Sequence, residues 1–586
     1  MEHDCELWDS NKFFTDHEIE TTNRVLQILN DNRSFIKEQR VSQIFENIKQ
    51  LFTPIPADER RKRRKEERNK IKVVDEDDKL ITETGMYKKK EREKLMIAKK
   101  LKYELPSDKM LEDMVHHGKT VFNKELLPNT DEMHQGKIDL TQHHADPVER
   151  PSVPLTKPLM CFGCYQPYTQ LHFFYHQFCP SCASLNYAKR TQTADLTGKH
   201  ALITGGRIKI GYHCALMCLR ANCAMVHVTT RFPKDCAKRF AAEPDFDSFR
   251  SRLKIYGLGR GCCANLRHIP SVIRFAEQLC SEHDRLDILI NNAAQTIRRP
   301  TQFYKRIATE ELTCSMSDLS PSIQQLLSVS FTMQADAFQH VPRLQDLSDD
   351  APNISSYSSN DELKICGLKT CGALRALSDN DNVSASALLS QVPTTQEDVT
   401  FHNDHHTFPP NVTDINSEQV DTRSVNTWCL NIDQVSEVEM IETQTINASA
   451  PFVLCGRLRK LMCKDRNAHK YIINVSSMEG QFYKKFKAST HPHTNMSKAA
   501  LNMMTRTCGA DYSIDNIWMN SVDTGWVTDE NPQSYKRTEG SNKALIHVPL
   551  DEIDGASRVM DPIYMGINNG QNIHSQFYKD YQSVLW

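Results

Sequence analysis

The stretch that most restricts the fold runs from Lys199 to Thr230. Lys199-His200-Ala201-Leu202-Ile203 is a short apolar run leading into Thr204-Gly205-Gly206-Arg207-Ile208-Lys209-Ile210-Gly211. Apolar residues then fall at helical spacing (Ala215, Leu216, Cys218, Leu219, Ala221), and Ala224-Met225-Val226-His227-Val228-Thr229-Thr230 reads as a second strand. A glycine turn between strand and helix is where a pyrophosphate can meet helix N-terminal amides. Alone, such a turn is a weak signal. It gains weight from Leu286-Asp287-Ile288-Leu289-Ile290-Asn291-Asn292-Ala293-Ala294, an apolar strand ending in paired asparagines. That end lies at the carboxyl edge, where open α/β sheets bind ligands.

The rest of the chain is organised around this pattern. A length of 586 residues is a prior for three or four domains, and 39% hydrophobic with 25% charged residues allows a large core. Lys and Arg total 72 against 74 Asp and Glu, a net charge of −2, which argues against a protein that coats nucleic acid over its whole surface. No apolar run is long enough to span a bilayer. The start Met1-Glu2-His3-Asp4-Cys5 lacks an apolar signal core, so the 19 cysteines are expected reduced and the protein cytoplasmic.

Residues 1–145 read as a helical, charged N-terminal region. Apolar residues from Val25 to Leu51 follow helical spacing until Pro54 and Pro56. Basic clusters follow at Arg60–Lys65, extended to Lys72, and at Lys88–Lys102. A basic run at 60–72 is compatible with nuclear import, but the plainer reading is a solvated helix face. With no interleaved aromatics, nucleic-acid binding is not expected. Residues 146–158 form a Pro-rich linker (Pro147, Pro151, Pro154, Pro158), and 159–190 a cysteine-rich unit. The alternating strand–helix stretch occupies 195–586. Within it, about 301–421 is a Ser/Asp/Asn-rich insertion read as partly disordered, with Ser355-Ser356-Tyr357-Ser358-Ser359 as its most polar part.

Cys161-Phe162-Gly163-Cys164 and Cys179-Pro180-Ser181-Cys182 are separated by fourteen residues. Each two-residue gap lets both thiolates of a pair enter one tetrahedral shell, so a zinc-ribbon-like site is expected. Chance spacing and two disulfides are the rival readings, and a reducing compartment disfavours the second. Four thiolates leave no open position, which makes the zinc structural.

From about Leu196 to Gly566 the chain resembles the short-chain dehydrogenase/reductase family. The glycine turn resembles that family's TGxxxGxG, and Asn291-Asn292-Ala293-Ala294 its NNAG. Ile446-Asn447-Ala448-Ser449 resembles the helix with the active-site Asn, and Ile473-Asn474-Val475-Ser476-Ser477 the strand ending in the catalytic Ser. Ser497-Lys498-Ala499 is similar to the helix carrying the catalytic Lys. Asn520-Ser521-Val522-Asp523-Thr524-Gly525, with Thr528 beyond it, stands where the family carries its nicotinamide-side loop. The resemblance implies a doubly wound parallel-sheet Rossmann fold and hydride transfer between a nicotinamide and a carbonyl or alcohol. It also implies a cofactor cradle of Thr204, Gly205, Gly206, Arg207, Lys209, Ile210, Gly211, Thr230, Arg231, Asn292, Ala293, Ala294, Lys498, Gly525 and Thr528.

Two departures bear on the chemistry. The family's catalytic Tyr lies four residues before the Lys, and here that residue is Thr494, too weak an acid to replace a phenol. Tyr483 or His493, in the long Ser–Lys segment, is the substitute donor, or else both only shape the loop. Lys209 stands where the family has its middle glycine. Thr230-Arg231, with Arg207, favours NADP over NAD, because cations suit a 2′-phosphate. The expected function is therefore an NADP-dependent oxidoreductase using Ser477, Lys498 and Asn447, acting on a small-molecule substrate and compatible with a homo-oligomer. The rival reading is a pseudoenzyme in which the nucleotide-binding sheet and zinc unit serve regulation or interaction.

Overall fold

The computed structural model describes residues 76–104, 153–257, 265–332, 387, 390–483, 487–532 and 547–586. All lie within one compact unit, Glu76–Trp586. The helical pattern at Val25–Leu51, the basic run at 60–72 and the serine-rich stretch around Ser355 lie outside the described residues.

The second basic cluster falls on helix α1 (Gly85–Glu104). Its first turn is seated on the cysteine unit, where the amides of Gly85 and Met86 donate to the carbonyls of Phe173 and Phe174 at 3.0 and 2.8 Å. The end of the Pro-rich linker is also pinned. Asp77 accepts the amide of Thr156 at 2.8 Å and its hydroxyl at 2.7 Å.

The cysteine unit is a two-stranded hairpin, β1 (Leu159–Met160) and β2 (Pro167–Tyr168), followed by helix α2 (Pro180–Thr191). Tyr175 and Phe178 fill its small core, to which Val527 and Leu550 of the large sheet domain also contribute.

Next comes the alternation that the sequence predicts. β3 (His200–Thr204), α3 (Lys209–Arg220), β4 (Met225–Thr229), α4 (Pro233–Ala241) and β5 (Leu253–Tyr256) run outward in one direction. Helix α5 (Ile269–Glu282) returns the chain to β6 (Ile288–Asn291), on the other side of β3. Helices α6 (Thr301–Thr313) and α7 (Pro321–Thr332) open the span read as an insertion. Helix α8 (Glu437–Gln444) passes through a π turn, Thr445–Ser449, into α9 (Ala450–Met462). β7 (Lys470–Ser476), α10 (Pro492–Ser513), β8 (Ile517–Asp523), α11 (Glu552–Asn569) and the hairpin β9 (Phe577–Lys579) and β10 (Gln582–Val584) complete it.

The sheet order is β10-β9-β8-β7-β6-β3-β4-β5, parallel except for β10. Strand order reverses between β3 and β6, the switch point at which such sheets bind ligands. β7 is buried along its whole length, as a parallel strand covered on both faces must be. One face packs against α3 and α11 through Leu216, Leu219, Val559 and Ile563. The other packs against α5 and α9 through Val272, Phe275, Leu454 and Leu458. A chain of polar side chains links the sheet to α10. Asn291 donates to Asn474 at 2.8 Å, Asn474 to Thr505 at 2.8 Å, and Thr505 pairs with Ser521 at 2.8 Å.

The described parts of the 301–421 span are ordered and packed on the sheet domain. Phe303, Tyr304 and Ile307 of α6 share an apolar cluster with Phe232 and Phe408. Arg298 forms a buried, forked pair with Asp398 at 2.7 and 3.2 Å.

Candidate active site

The carboxyl edge of the sheet opens into a cavity of about 950 Å³. Its floor is made by two interlocked turns. Thr204 Oγ1 accepts the amides of Asn292 and Ala293, both at 3.0 Å, and the Asn292 side chain donates back to the Thr204 carbonyl at 3.0 Å. Gly205 has φ +68, and a Cβ there would stand 2.9 Å from the Cβ of Ala293, so the approach of the turns requires glycine. Lys209 has φ +56, the left-handed backbone that a glycine at that position would adopt without strain.

Of the residues read as a cofactor cradle, Gly205, Arg207, Lys209, Ile210, Gly211, Thr230, Arg231, Asn292, Ala293, Ala294, Lys498, Gly525 and Thr528 line this cavity. Arg207 is already engaged. Its Nη1 meets Asp235 at 2.8 Å and its Nη2 meets Glu418 at 2.7 Å. The Arg231 guanidinium lies 4.4 Å from the ring centre of Tyr304. Arg267 also lines the cavity, and its Nη2 donates to Gln295 at 2.9 Å. Burial alone would push the Tyr304 phenol up, but Arg231 and Arg267 beside it outweigh burial and hold it below its usual value. The two guanidiniums thus place positive charge beside the Tyr304 hydroxyl, with Glu418 opposing them.

At the other end stand Ser477, Thr494 and Lys498. Ser477 caps a short turn at the end of β7, its Oγ accepting the amide of Glu479 at 3.3 Å. Lys498 projects from α10, and its Nζ donates to the Val475 carbonyl at 2.9 Å. Burial pulls the Lys498 ammonium down to about 8, with Asp523 opposing that shift. Asp523 lies at the end of β8 and accepts the amides of Met478 at 3.0 Å and Gly525 at 3.2 Å. Burial, then the charge of Asp580, raises its carboxyl to about 6.

Asn447 lies beneath the cavity wall, in the π turn. Its Oδ1 accepts the Gln295 amide at 2.7 Å, and its Nδ2 donates to the Gln295 carbonyl at 3.0 Å and to Ser497 Oγ at 3.1 Å. It thereby ties α8–α9 to the paired-Asn turn and to α10.

Neither residue read as a substitute donor is among the cavity-lining side chains. Tyr483 is 65% exposed. His493 is buried with its Nε2 3.6 Å from Glu439 Oε1. His491 adopts φ +45 and stacks on Trp428 with ring centres 3.8 Å apart, which sets the path of the loop into α10.

The four cysteines converge as their spacing demands. The Sγ atoms of Cys161, Cys164, Cys179 and Cys182 all lie within 4.8 Å of one another, a donor set that could hold a metal ion. The knuckle between the first pair reaches the cavity, where Phe162 and Tyr165 form part of the wall. Phe162 lies 6.0 Å from Trp526, ring centre to ring centre.

Several of these residues carry no functional reading at the level of the sequence. Asp523 was visible inside the Asn520–Gly525 motif, where an acid directly before the loop is a signal. Arg267, Tyr304, Glu418 and the Phe162–Tyr165 wall reach the site from segments with no pattern that announces them.

A family model described as enoyl-(acyl carrier protein) reductase matches residues 429–555, the segment bearing Asn447, Ser477, Lys498 and Asp523. An uncharacterized protein of Acanthamoeba polyphaga mimivirus is 28% identical over 416 residues, 69% of this chain and 71% of that protein. Among solved structures, the NADPH-bound carbonyl reductase from chicken fatty liver is similar at 15% identity and a TM-score of 0.36, covering 67% of this chain and 100% of that one. The carbonyl reductase Sniffer of D. melanogaster is similar at 14% identity and a TM-score of 0.36, over 67% and 100% of the two chains. The sheet with its crossover at β3 and β6 defines a doubly wound α/β domain. The family-model match falls on its β7–α10–β8 segment, and the motifs in order along the sheet edge resemble those of the short-chain dehydrogenase/reductase family. No helix among the described residues is long and apolar enough to cross a membrane.

Proposed function

We propose that the protein is an NADP-dependent oxidoreductase that interconverts a carbonyl and an alcohol on a small-molecule substrate. The observation that carries this reading is one cavity joining the glycine turn at one end to Ser477 and Lys498 at the other. A pure scaffold gains nothing from burying an ammonium there, because that burial costs stability.

The residues fit a dinucleotide. Gly205 and Gly211 let the two turns close on each other, and the amides at the start of α3 would face a pyrophosphate. Thr230, Arg231 and Arg267 would take the 2′-phosphate, with Arg231 oriented by Tyr304. Arg207, paired with Asp235 and Glu418, would join that group only once a carboxylate releases it. Bound nicotinamide supplies the hydride chemistry.

The chain's own residues do the rest. Ser477 Oγ would hydrogen-bond the substrate oxygen. Lys498, held near 8 by burial, keeps its proton at neutral pH and would orient the nicotinamide ribose. Thr494 cannot replace a phenol, so the proton for the substrate oxygen is assigned to the Lys498–Asp523 pair. Both groups line the cavity. Asn447 is a positioning residue, holding α10 through Ser497.

Zinc at the four thiolates is part of the proposal. With all four positions filled by sulfur it would be structural, holding Phe162 and Tyr165 at the substrate end.

Titration of the protein with NADPH and NADH, followed by a panel of carbonyls, tests the reading. NADPH should bind more tightly than NADH, and Lys498→Ala should abolish turnover. Failure to bind either dinucleotide would sink it.

A further inference from the structure

A strap from the insertion lies against the glycine turn. Residues 412–420 fold back on themselves, with the Val420 amide donating to the Val412 carbonyl at 3.1 Å. Asp414 Oδ1 accepts the amides of Asn416 and Glu418 at 2.8 and 2.9 Å, which makes the tip of the strap rigid. Asp414 and Glu418 both line the cavity. Glu418 reaches Arg207 at 2.7 Å, and Asp414 and Glu418 both feel the charge of Lys209.

The strap is clasped from outside the sheet domain. Lys100 of α1 donates to the Thr413 carbonyl and to its hydroxyl, each at 3.0 Å. Ile97, one turn earlier on α1, packs against Val412 and Val420.

Carboxylates thus occupy cations in the turn where dinucleotide phosphates are expected. A phosphate and the Glu418 carboxylate compete for the same guanidinium there, and side by side they repel. We propose that the 412–420 strap is an internal competitor for the cofactor: Glu418 must leave Arg207 before a dinucleotide phosphate can dock, and α1 sets how readily it leaves. The inference rests on the nucleotide-binding reading above. Apparent affinity then equals intrinsic affinity reduced by the fraction of molecules with the strap open.

The test is NADPH titration by calorimetry on the full chain, comparing wild type with Glu418→Gln and Lys100→Ala. Both variants should be folded by circular dichroism. Glu418→Gln should bind NADPH about fivefold or more tightly, and Lys100→Ala should also gain affinity, because each raises the open fraction. Hydrogen exchange in wild type should accelerate at residues 412–420 when NADPH is added. NADPH binding by wild type with equal or weaker affinity in both variants, and no change in exchange, overturns the strap and leaves the nucleotide reading standing. Absence of dinucleotide binding in all three proteins overturns both.

Discussion

The guanidinium of Arg190 holds the fully buried carboxylate of Asp551 through two hydrogen bonds, of 2.6 and 2.9 Å. This pair links the cysteine unit to the sheet domain, because Arg190 ends α2 and Asp551 caps α11. Lys89 of α1 meets the same carboxylate. Burial works against the charged form of Asp551, but Arg190 and Lys89 outweigh it and hold the group well below the usual carboxylate range. Removing that carboxylate takes the ion pair from Lys89 and leaves the largely buried Arg190 with Asp554 alone.

Asp551→Ala should therefore destabilise the protein by about 3–5 kcal/mol, measured by urea unfolding. The sign with pH follows from the depressed value. Stabilisation by Asp551 is full above about pH 4, the unfolded value, and is lost as pH falls through the lower folded value. A variant within 1 kcal/mol of wild type would show that the pair does not join the two parts.

Lys209 offers a second check, at the glycine turn. Its φ of +56 is costly for a residue with a Cβ. Lys209→Gly should stabilise the fold by about 1 kcal/mol, read as a rise in thermal midpoint. A lower midpoint would mean that the attraction of Lys209 to Asp414 and Glu418 exceeds the backbone strain.

The sheet was legible because parallel strands buried on both faces leave short apolar runs, such as Ile288–Ile290 and Tyr471–Ile473. The turns were legible because Gly205 and the paired asparagines sit at strand ends. The cysteine cluster was legible because ligand spacing is local. Contacts closed over long loops left no such trace. Arg207 and Glu418 are 211 residues apart in the chain, and Arg190 and Asp551 are 361 apart. Composition also hid order in the polar insertion, since Asp398, Glu418 and Asp421 look like solvated acids until Arg298, Arg207 and Arg299 are seen to meet them. The proposed proton source was hidden for a related reason. Position along α10 sets Thr494 where a tyrosine is expected, but nothing in that segment shows that Asp523, on a different strand, acts on the Lys498 ammonium.

Metal content tests the cysteine cluster. Purified protein should carry one zinc per chain, and a strong chelator should lower the thermal midpoint, because the unit has little core of its own. Cys164→Ser should lose the metal. It should also change the fluorescence of Trp526, whose ring neighbours Phe162 on the knuckle. Protein without zinc but with full thermal stability would show that the thiols need no ion.

The pH dependence of Lys498 and Asp523 tests the proton assignment. In the proposed reduction Lys498 gives up the proton, so kcat/KM should fall as pH rises through about 8. Asp523→Asn removes the anion that favours the ammonium, so the alkaline limb should move to lower pH. Both burials cost stability, with opposite dependence on pH. The folded value of Lys498 lies below its unfolded one, so its burial costs stability at neutral pH and the cost fades as pH rises above about 8. The folded value of Asp523 lies above its unfolded one, so its burial costs stability as pH rises from about 4 to about 6. Lys498→Met should then be inactive yet more stable at pH 7, by on the order of 2–3 kcal/mol. An alkaline limb that stays in place in Asp523→Asn would assign the proton to another group. A less stable Lys498→Met would mean that its bond to the Val475 carbonyl outweighs the cost of burying the charge.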